Sequence, residues 1–171
     1  MNTMRPSLSM EANSINKILV AIDFADEAED ILKIAGELGS SLSAEIHLVH
    51  VYRPDPDPVY DSIIFPVLVA GETEAEHEKV LQEERSQLRG QADRLRKAGA
   101  KTFGYMKPME KGIAKSILNF VDEIHADLIV IGTRHPNRID EFLVGSVAKK
   151  VLKKSQTPVL LVPRSSIGIG V

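Results

Sequence analysis

The sequence predicts an α/β domain in which a parallel β-sheet is covered by helices on both faces. Short continuous apolar runs, such as those at 17–23 and 127–132, alternate along the chain with segments whose apolar residues recur at helical spacing. Continuous runs are typical of strands that are buried on both faces, and strand–helix alternation is typical of parallel sheets. The chain has 171 residues, which is the size of one domain with a substantial core.

The first two strands and the helix between them have clear patterns. A strand is predicted at Lys17–Asp23, and Asp26 and Glu29 then have the spacing of a capping box, which indicates the start of a helix. That helix is amphipathic, because its apolar residues lie at helical spacing. They are Ala28, Ile31, Leu32, Ala35, Leu38 and Leu42. The second strand is predicted at Glu45–Tyr52.

The connection at Arg53–Gly71 contains prolines at alternate positions, which prevent regular structure. Its apolar stretch, Ile63–Val69, is interpreted as a loop that packs against the domain, and contact with a partner or a role as a lid stays open. A second capping box, from Thr73 to Glu76, begins a long charged helix that ends near Gly99.

The remaining elements continue the alternation. A weaker strand is predicted at Lys101–Lys107, interrupted by Gly104, and a clear buried strand at Asp127–Gly132. A short helix is predicted at Ser146–Lys154 and a last strand at Thr157–Pro163. The helix between the third and fourth strands is marked by apolar residues at helical spacing: Ile113, Ile117, Phe120, Val121 and Ile124.

Composition excludes several classes of function. The chain has no cysteine, so disulfides and thiolate metal sites are excluded, and its net charge of -3 argues against a nucleic-acid binder. It has no run of 18 apolar residues and no secretory signal pattern, so we expect a cytoplasmic protein without membrane contact. We expect a polar tail at 1–16, one domain at 17–165 and a short tail at 166–171.

Two histidines of the second strand, His47 and His50, lie three positions apart, and this odd offset places them on opposite sides of the sheet. We interpret them as packing or surface residues rather than as a pair of metal ligands. A lysine cluster on the last helix is interpreted as a solvated helix end. Its members are Lys149, Lys150, Lys153 and Lys154.

A ligand site is expected where the first and fourth strands end, because open parallel sheets bind ligands at the carboxyl ends of their central strands. Asp23 and Gly132 stand at these ends, and Gly145 and Ser146 open the last helix, whose free N–H groups favour an anion such as phosphate. Plain structural roles explain the same residues. Asp23 can cap the first helix, Gly132 can permit a turn, and Gly145 and Ser146 can cap the last helix.

The pattern Gly132-x2-His135-x9-Gly145-Ser146 resembles the signature of the universal stress protein family, which is glycine-x2-glycine-x9-glycine-serine/threonine. The first, second, fourth and last strands also resemble those of the family, so only the two tails fall outside the similarity. The resemblance implies an open, doubly wound sheet of five parallel strands in the order 3-2-1-4-5, which is the adenine nucleotide alpha hydrolase-like fold.

The resemblance also implies a nucleotide site. Asp23 would contact adenine, and ATP or another adenine nucleotide would be the ligand, with Mg or Mn only as its counter-ion. The implied nucleotide-binding residues are Ala21, Ile22, Asp23, Val51, Ile131, Gly132, Arg134, His135, Gly145, Ser146 and Val147. The family typically forms homodimers through its last strand, here Pro158, Val159, Leu160, Leu161 and Val162.

One departure from the signature leaves two functions open. His135 stands where the signature has its second glycine, and Pro136 follows it. A side chain at this position crowds the phosphates, although Arg134 and His135 also bring positive charge. We expect a nucleotide-binding module in stress response or signalling with little or no catalysis. The alternative is a dimeric protein-interaction module that binds no nucleotide. An ATP-dependent enzyme is disfavoured, because the segment at 23–26 lacks the glycines and serines of related hydrolases.

Overall fold

The computed structural model describes residues 14–24, 28–54, 74–133 and 145–163. In this part of the chain, strands and helices alternate as the sequence predicts. The elements are β1 (Lys17–Ala21), α1 (Ala28–Leu42), β2 (Glu45–Tyr52), α2 (Glu74–Lys97), β3 (Thr102–Pro108), α3 (Ile113–Ile124), β4 (Leu128–Thr133), α4 (Ser146–Lys154) and β5 (Val159–Pro163).

The strands form one five-stranded sheet in the order β3-β2-β1-β4-β5. Every neighbouring pair is parallel, and the residues Ile18 to Ala21 of β1 pair with both β2 and β4. The predicted order is therefore confirmed, as is the central position of the first and fourth strands. The strand order reverses between β1 and β4, which is the point where ligands bind in sheets of this kind.

Helices cover both faces of the sheet, because side chains alternate along each strand. In β1, Ile18 and Val20 pack with α1 and α2, whereas Leu19 and Ala21 pack with α3 and α4. Ile18, Leu19 and Val20 have no exposed surface. A strand buried on both faces has no polar face, which explains the continuous apolar run that predicted it.

The amino ends of β1 and β4 are joined by one carboxylate. An Asp127 oxygen accepts the backbone N–H groups of Asn16 and Lys17, at 2.8 and 2.9 Å. The Asp127 backbone N–H donates to the Lys17 carbonyl at 2.9 Å, and the Lys17 ammonium donates to the carbonyl of Ile124 at 3.0 Å. These bonds fix the start of the central strand pair at the end of the sheet opposite the expected site.

The third strand differs from its prediction, because β3 runs through Gly104 without a break. A Cβ on Gly104 would lie 3.2 Å from the Leu88 Cγ of α2, which is tighter than ordinary contact. The glycine therefore lets the long helix approach the edge strand closely, a role that a sequence pattern does not distinguish from a strand break.

Several predictions fall outside the described residues. These include the capping residues Asp26 and Thr73, the Ile63–Val69 stretch and most of both predicted tails. The division into two tails and a domain therefore stays a prediction. None of the helices in the described ranges combines the length and the hydropathy that crossing a bilayer requires.

Two glycines in helices test this packing. A Cβ on Gly39 of α1 would lie 2.7 and 2.9 Å from atoms of Ile46, which is fully buried, whereas a Cβ on Gly90 of α2 meets no atom within 4 Å. Gly39→Ala should lower the free energy of unfolding by about 1–3 kcal/mol through overpacking. Gly90→Ala should raise it by about 0.5–1 kcal/mol. Chemical denaturation checks both, and shifts of the same sign would contradict the packing of α1 on β2.

His47 makes stability depend on pH. Its ring is buried beside the rings of Phe103 and Tyr105, with centroids 5.2 and 5.6 Å away, and Nδ1 lies 3.3 Å from the Tyr105 hydroxyl. Burial lowers the pKa of His47 below its ordinary value of 6.5, and the carboxylate of Glu45 partly opposes this shift. The folded state therefore binds the proton less readily than the unfolded state does.

The free energy of unfolding should consequently fall as the pH drops below about 6.5, until the lowered pKa of folded His47 is reached. His47→Gln should flatten this part of the profile, measured by urea denaturation at several pH values. The control His125→Asn removes an exposed histidine in a left-handed backbone position that asparagine tolerates, and should keep the slope. An unchanged slope in the His47 variant would contradict the argument.

Candidate functional site

A cavity of about 230 Å³ opens at the carboxyl ends of β1 and β4. Its walls come from β1, β2 and β4 together with the first turns of α3 and α4. The lining residues are Ala21, Ile22, Asp23, Val49, His50, Val51, Ile113, Ile117, Ile131, Gly132, Gly145, Ser146, Val147 and Ala148. The cavity therefore lies at the edge of the sheet where the strand order predicts a site.

Most of the predicted binding residues meet in this cavity. The predicted residues that the structure describes all line it: Ala21, Ile22, Asp23, Val51, Ile131, Gly132, Gly145, Ser146 and Val147. The other two, Arg134 and His135, lie outside the described residues. Residues that are far apart in sequence are thus neighbours in the fold, while their roles toward a ligand stay a prediction.

The sequence prediction missed part of the wall. Ile113 and Ile117 lie one turn apart on α3, and both line the cavity together with Ala148 of α4. The helical spacing of Ile113 and Ile117 predicts the helix, and it gives no sign that the first turn of α3 reaches the edge of the sheet. Ile113 is 39% exposed, so part of its side chain is open to a ligand in the cavity.

The cavity has an apolar wall and two polar ends. Ala21, Val49 and Ile131 bury their side chains against α3 and α4, so this wall suits a flat apolar group. Asp23 is exposed at one end, two residues after the last residue of β1. Its carboxylate can accept hydrogen bonds from a ligand that enters the cavity.

The other polar end is the N-terminus of α4. Gly145 is the N-cap residue and supplies no side-chain hydrogen bond to the first turn. The N–H groups of that turn have no partner within the helix, and together with the helix dipole they favour an anion. Gly145 has φ -53° and ψ 155°, an ordinary extended conformation that residues with side chains also adopt.

Across the described ranges, no three side chains of the His, Asp or Glu type come together in a way that could hold a metal ion. His47 and His50 are both buried and have separate partners, which agrees with their interpretation as packing residues.

Comparison with known proteins identifies relatives along almost the whole chain. Residues 14–163 match the sequence model of the universal stress protein family. The stress response protein NhaX of Bacillus subtilis is 27% identical, over 86% of this chain and 97% of its own length. The universal stress protein MJ0577 of Methanocaldococcus jannaschii is 29% identical, over 88% of this chain and 96% of its own length.

Solved structures agree with these matches. A universal stress protein of Archaeoglobus fulgidus in complex with dAMP superposes with a TM-score of 0.62 at 25% identity, covering 86% of this chain and 98% of that one. A universal stress protein in complex with cAMP has a TM-score of 0.58 at 25% identity, covering 89% and 99%. The expected adenine nucleotide alpha hydrolase-like fold is therefore confirmed.

Proposed function

The chain belongs to the universal stress protein family, and we propose that it binds an adenine nucleotide in the cavity at the ends of β1 and β4. The observation that carries this proposal is the convergence of the residues implied by the family pattern on one cavity. The dAMP and cAMP complexes of similar proteins support the choice of ligand. We propose ATP or another adenine nucleotide as a ligand that is held with little or no turnover, in stress response or signalling.

The two ends of the cavity match the two ends of a nucleotide. Asp23 accepts a hydrogen bond from the base, whose ring lies against the apolar wall that includes Val51 and Ile131. The phosphates lie at the first turn of α4, beside Gly145 and Ser146, where backbone N–H groups donate to their oxygens. A magnesium or manganese ion, where present, accompanies the phosphates rather than a protein cluster.

The family resemblance also leads us to propose a homodimer through β5. This strand is the edge of the sheet in the described part of the chain, and Val159, Leu160 and Leu161 are only partly buried. Val162 is 1% exposed and packs inside the domain, so it would take part through its backbone rather than its side chain. The dimer, the cytoplasmic location and the lack of nucleic-acid binding stay predictions.

A direct test begins with the freshly purified protein. The protein is denatured and any released nucleotide is identified by mass spectrometry, and ATP is then titrated into emptied, refolded protein. About one adenine nucleotide per chain in either experiment supports the proposal. No nucleotide in both experiments, on folded protein, favours the interaction module, for which the replacement of the signature glycine by His135 supplies the reason.

Gly145→Val should reduce affinity for ATP at least about tenfold, which corresponds to about 1.4 kcal/mol. The valine side chain occupies the space that the phosphates approach, while φ -53° and ψ 155° remain allowed for valine, so the fold is kept. Gly90→Val is the matched control, because a Cβ there meets no atom within 4 Å and the residue lies outside the cavity. Calorimetric titration that gives equal affinity for both variants would refute the phosphate position.

Ile113→Ala should weaken ATP binding about three- to tenfold, since roughly 30–50 Å² of apolar contact with the ligand is lost at about 25 cal/mol per Å². The free energy of unfolding should fall less than for a fully buried isoleucine, because Ile113 is 39% exposed. Leu42→Ala is the control, since Leu42 is 44% exposed and does not line the cavity. A loss of affinity in both variants would argue against a specific contact with Ile113.

A further inference from the structure

One buried histidine contacts the residues on both sides of Asp23. His50 of β2 has its Nδ1 atom 3.1 Å from the carbonyl oxygen of Ile22. The centroid of its ring lies 4.2 Å from that of Phe24, with 35° between the ring planes. His50 therefore contacts the residue before Asp23 and the residue after it.

The other ring nitrogen reaches the long helix. His50 Nε2 lies 3.4 Å from a carboxylate oxygen of Glu84 in α2. A carbonyl oxygen only accepts, so the contact with Ile22 needs a proton on Nδ1, and a ring that also carries a proton on Nε2 donates to Glu84 as well. When both nitrogens carry a proton, each has an acceptor, and the ring has one defined orientation between α2 and the Ile22–Phe24 segment.

His50 is among the residues that line the cavity, and the alternation of side chains along β2 places its ring on the face opposite Val49 and Val51. Side chains alternate along β2, so the His50 ring lies on the same face as Leu48, which packs with α1 and α2. Val49 and Val51 lie on the opposite face, where α3 and α4 complete the cavity. The imidazole thus contacts the Ile22–Phe24 segment from the face of the sheet that carries Leu48.

We propose that His50 is a positioning residue for Asp23, and that Glu84 holds the imidazole in place, so that helix α2 is coupled to the adenine end of the site. This inference rests on the proposed function. Without the contacts to Ile22 and Phe24, the segment samples more conformations, and part of the binding free energy is then spent on ordering Asp23. The effect should be confined to ligands that carry the base.

The test compares ATP with inorganic tripolyphosphate, which lacks the base. His50→Ala should weaken ATP binding about tenfold and leave tripolyphosphate binding unchanged. His50→Asn should recover most of the loss, because its amide nitrogen takes the place of Nδ1, whereas His50→Gln should not. In a variant that already has Asp23→Ala, His50→Ala should add less than a further twofold loss, since its effect passes through Asp23.

Glu84 gives a second variant that does not change the buried histidine. Glu84→Ala should weaken ATP binding about threefold. Glu83→Ala is the control, because Glu83 is the preceding residue of the same helix and pairs at its surface with Lys79. Equal effects of the two substitutions, additive losses with Asp23→Ala or equal losses for ATP and tripolyphosphate would overturn the proposal.

Hydrogen exchange separates this inference from the proposed function. In nucleotide-free protein, His50→Ala should speed exchange of the Asp23 and Phe24 amides at least about tenfold, with no comparable change in α4. If wild-type protein binds no ATP, the proposed function fails, and faster exchange then shows that the segment is still held by His50. If wild-type protein binds ATP and exchange is unchanged, the positioning role fails while the proposed function stands.

Discussion

The structure depends on the complete burial of β1. Ile18, Leu19 and Val20 have no exposed surface, and the strand is paired on both edges. A strand without a free face or edge has its backbone polar groups paired within the sheet. The cavity opens where β1 ends, next to the carboxyl end of β4.

Most of the fold followed from the sequence because the core strands have no polar face. The runs that contain Val20 and Val130 predicted buried strands, and the alternation with helices predicted a parallel sheet. The role of Gly104 was not predictable, since a glycine that admits a neighbouring helix has the same local pattern as one that breaks a strand. Only the position of Leu88 in space distinguishes the two.

Some residues of the candidate site could be predicted from the sequence, and others could not. Asp23 and Gly145 lie at the ends of predicted elements, where a signature pattern also marks them. Ile113 and His50 lie inside a helix and a strand, and their periodicity indicates a face but not a distance from the end of the sheet. Their part in the site follows from tertiary packing, because it depends on how far α3 and α2 extend past the strands they cover.

The bonds of Asp127 at the opposite end of the sheet have a consequence for the order of folding. They join residues that are 110 and 111 positions apart in the chain, and β4 pairs with one edge of β1. During synthesis on the ribosome, β1 therefore emerges long before its second neighbour exists. Contacts of such large sequence separation form slowly, and an unpaired apolar strand is prone to aggregate. The central strand is thus completed late, and one edge of β1 stays without its partner until the fourth strand has been made.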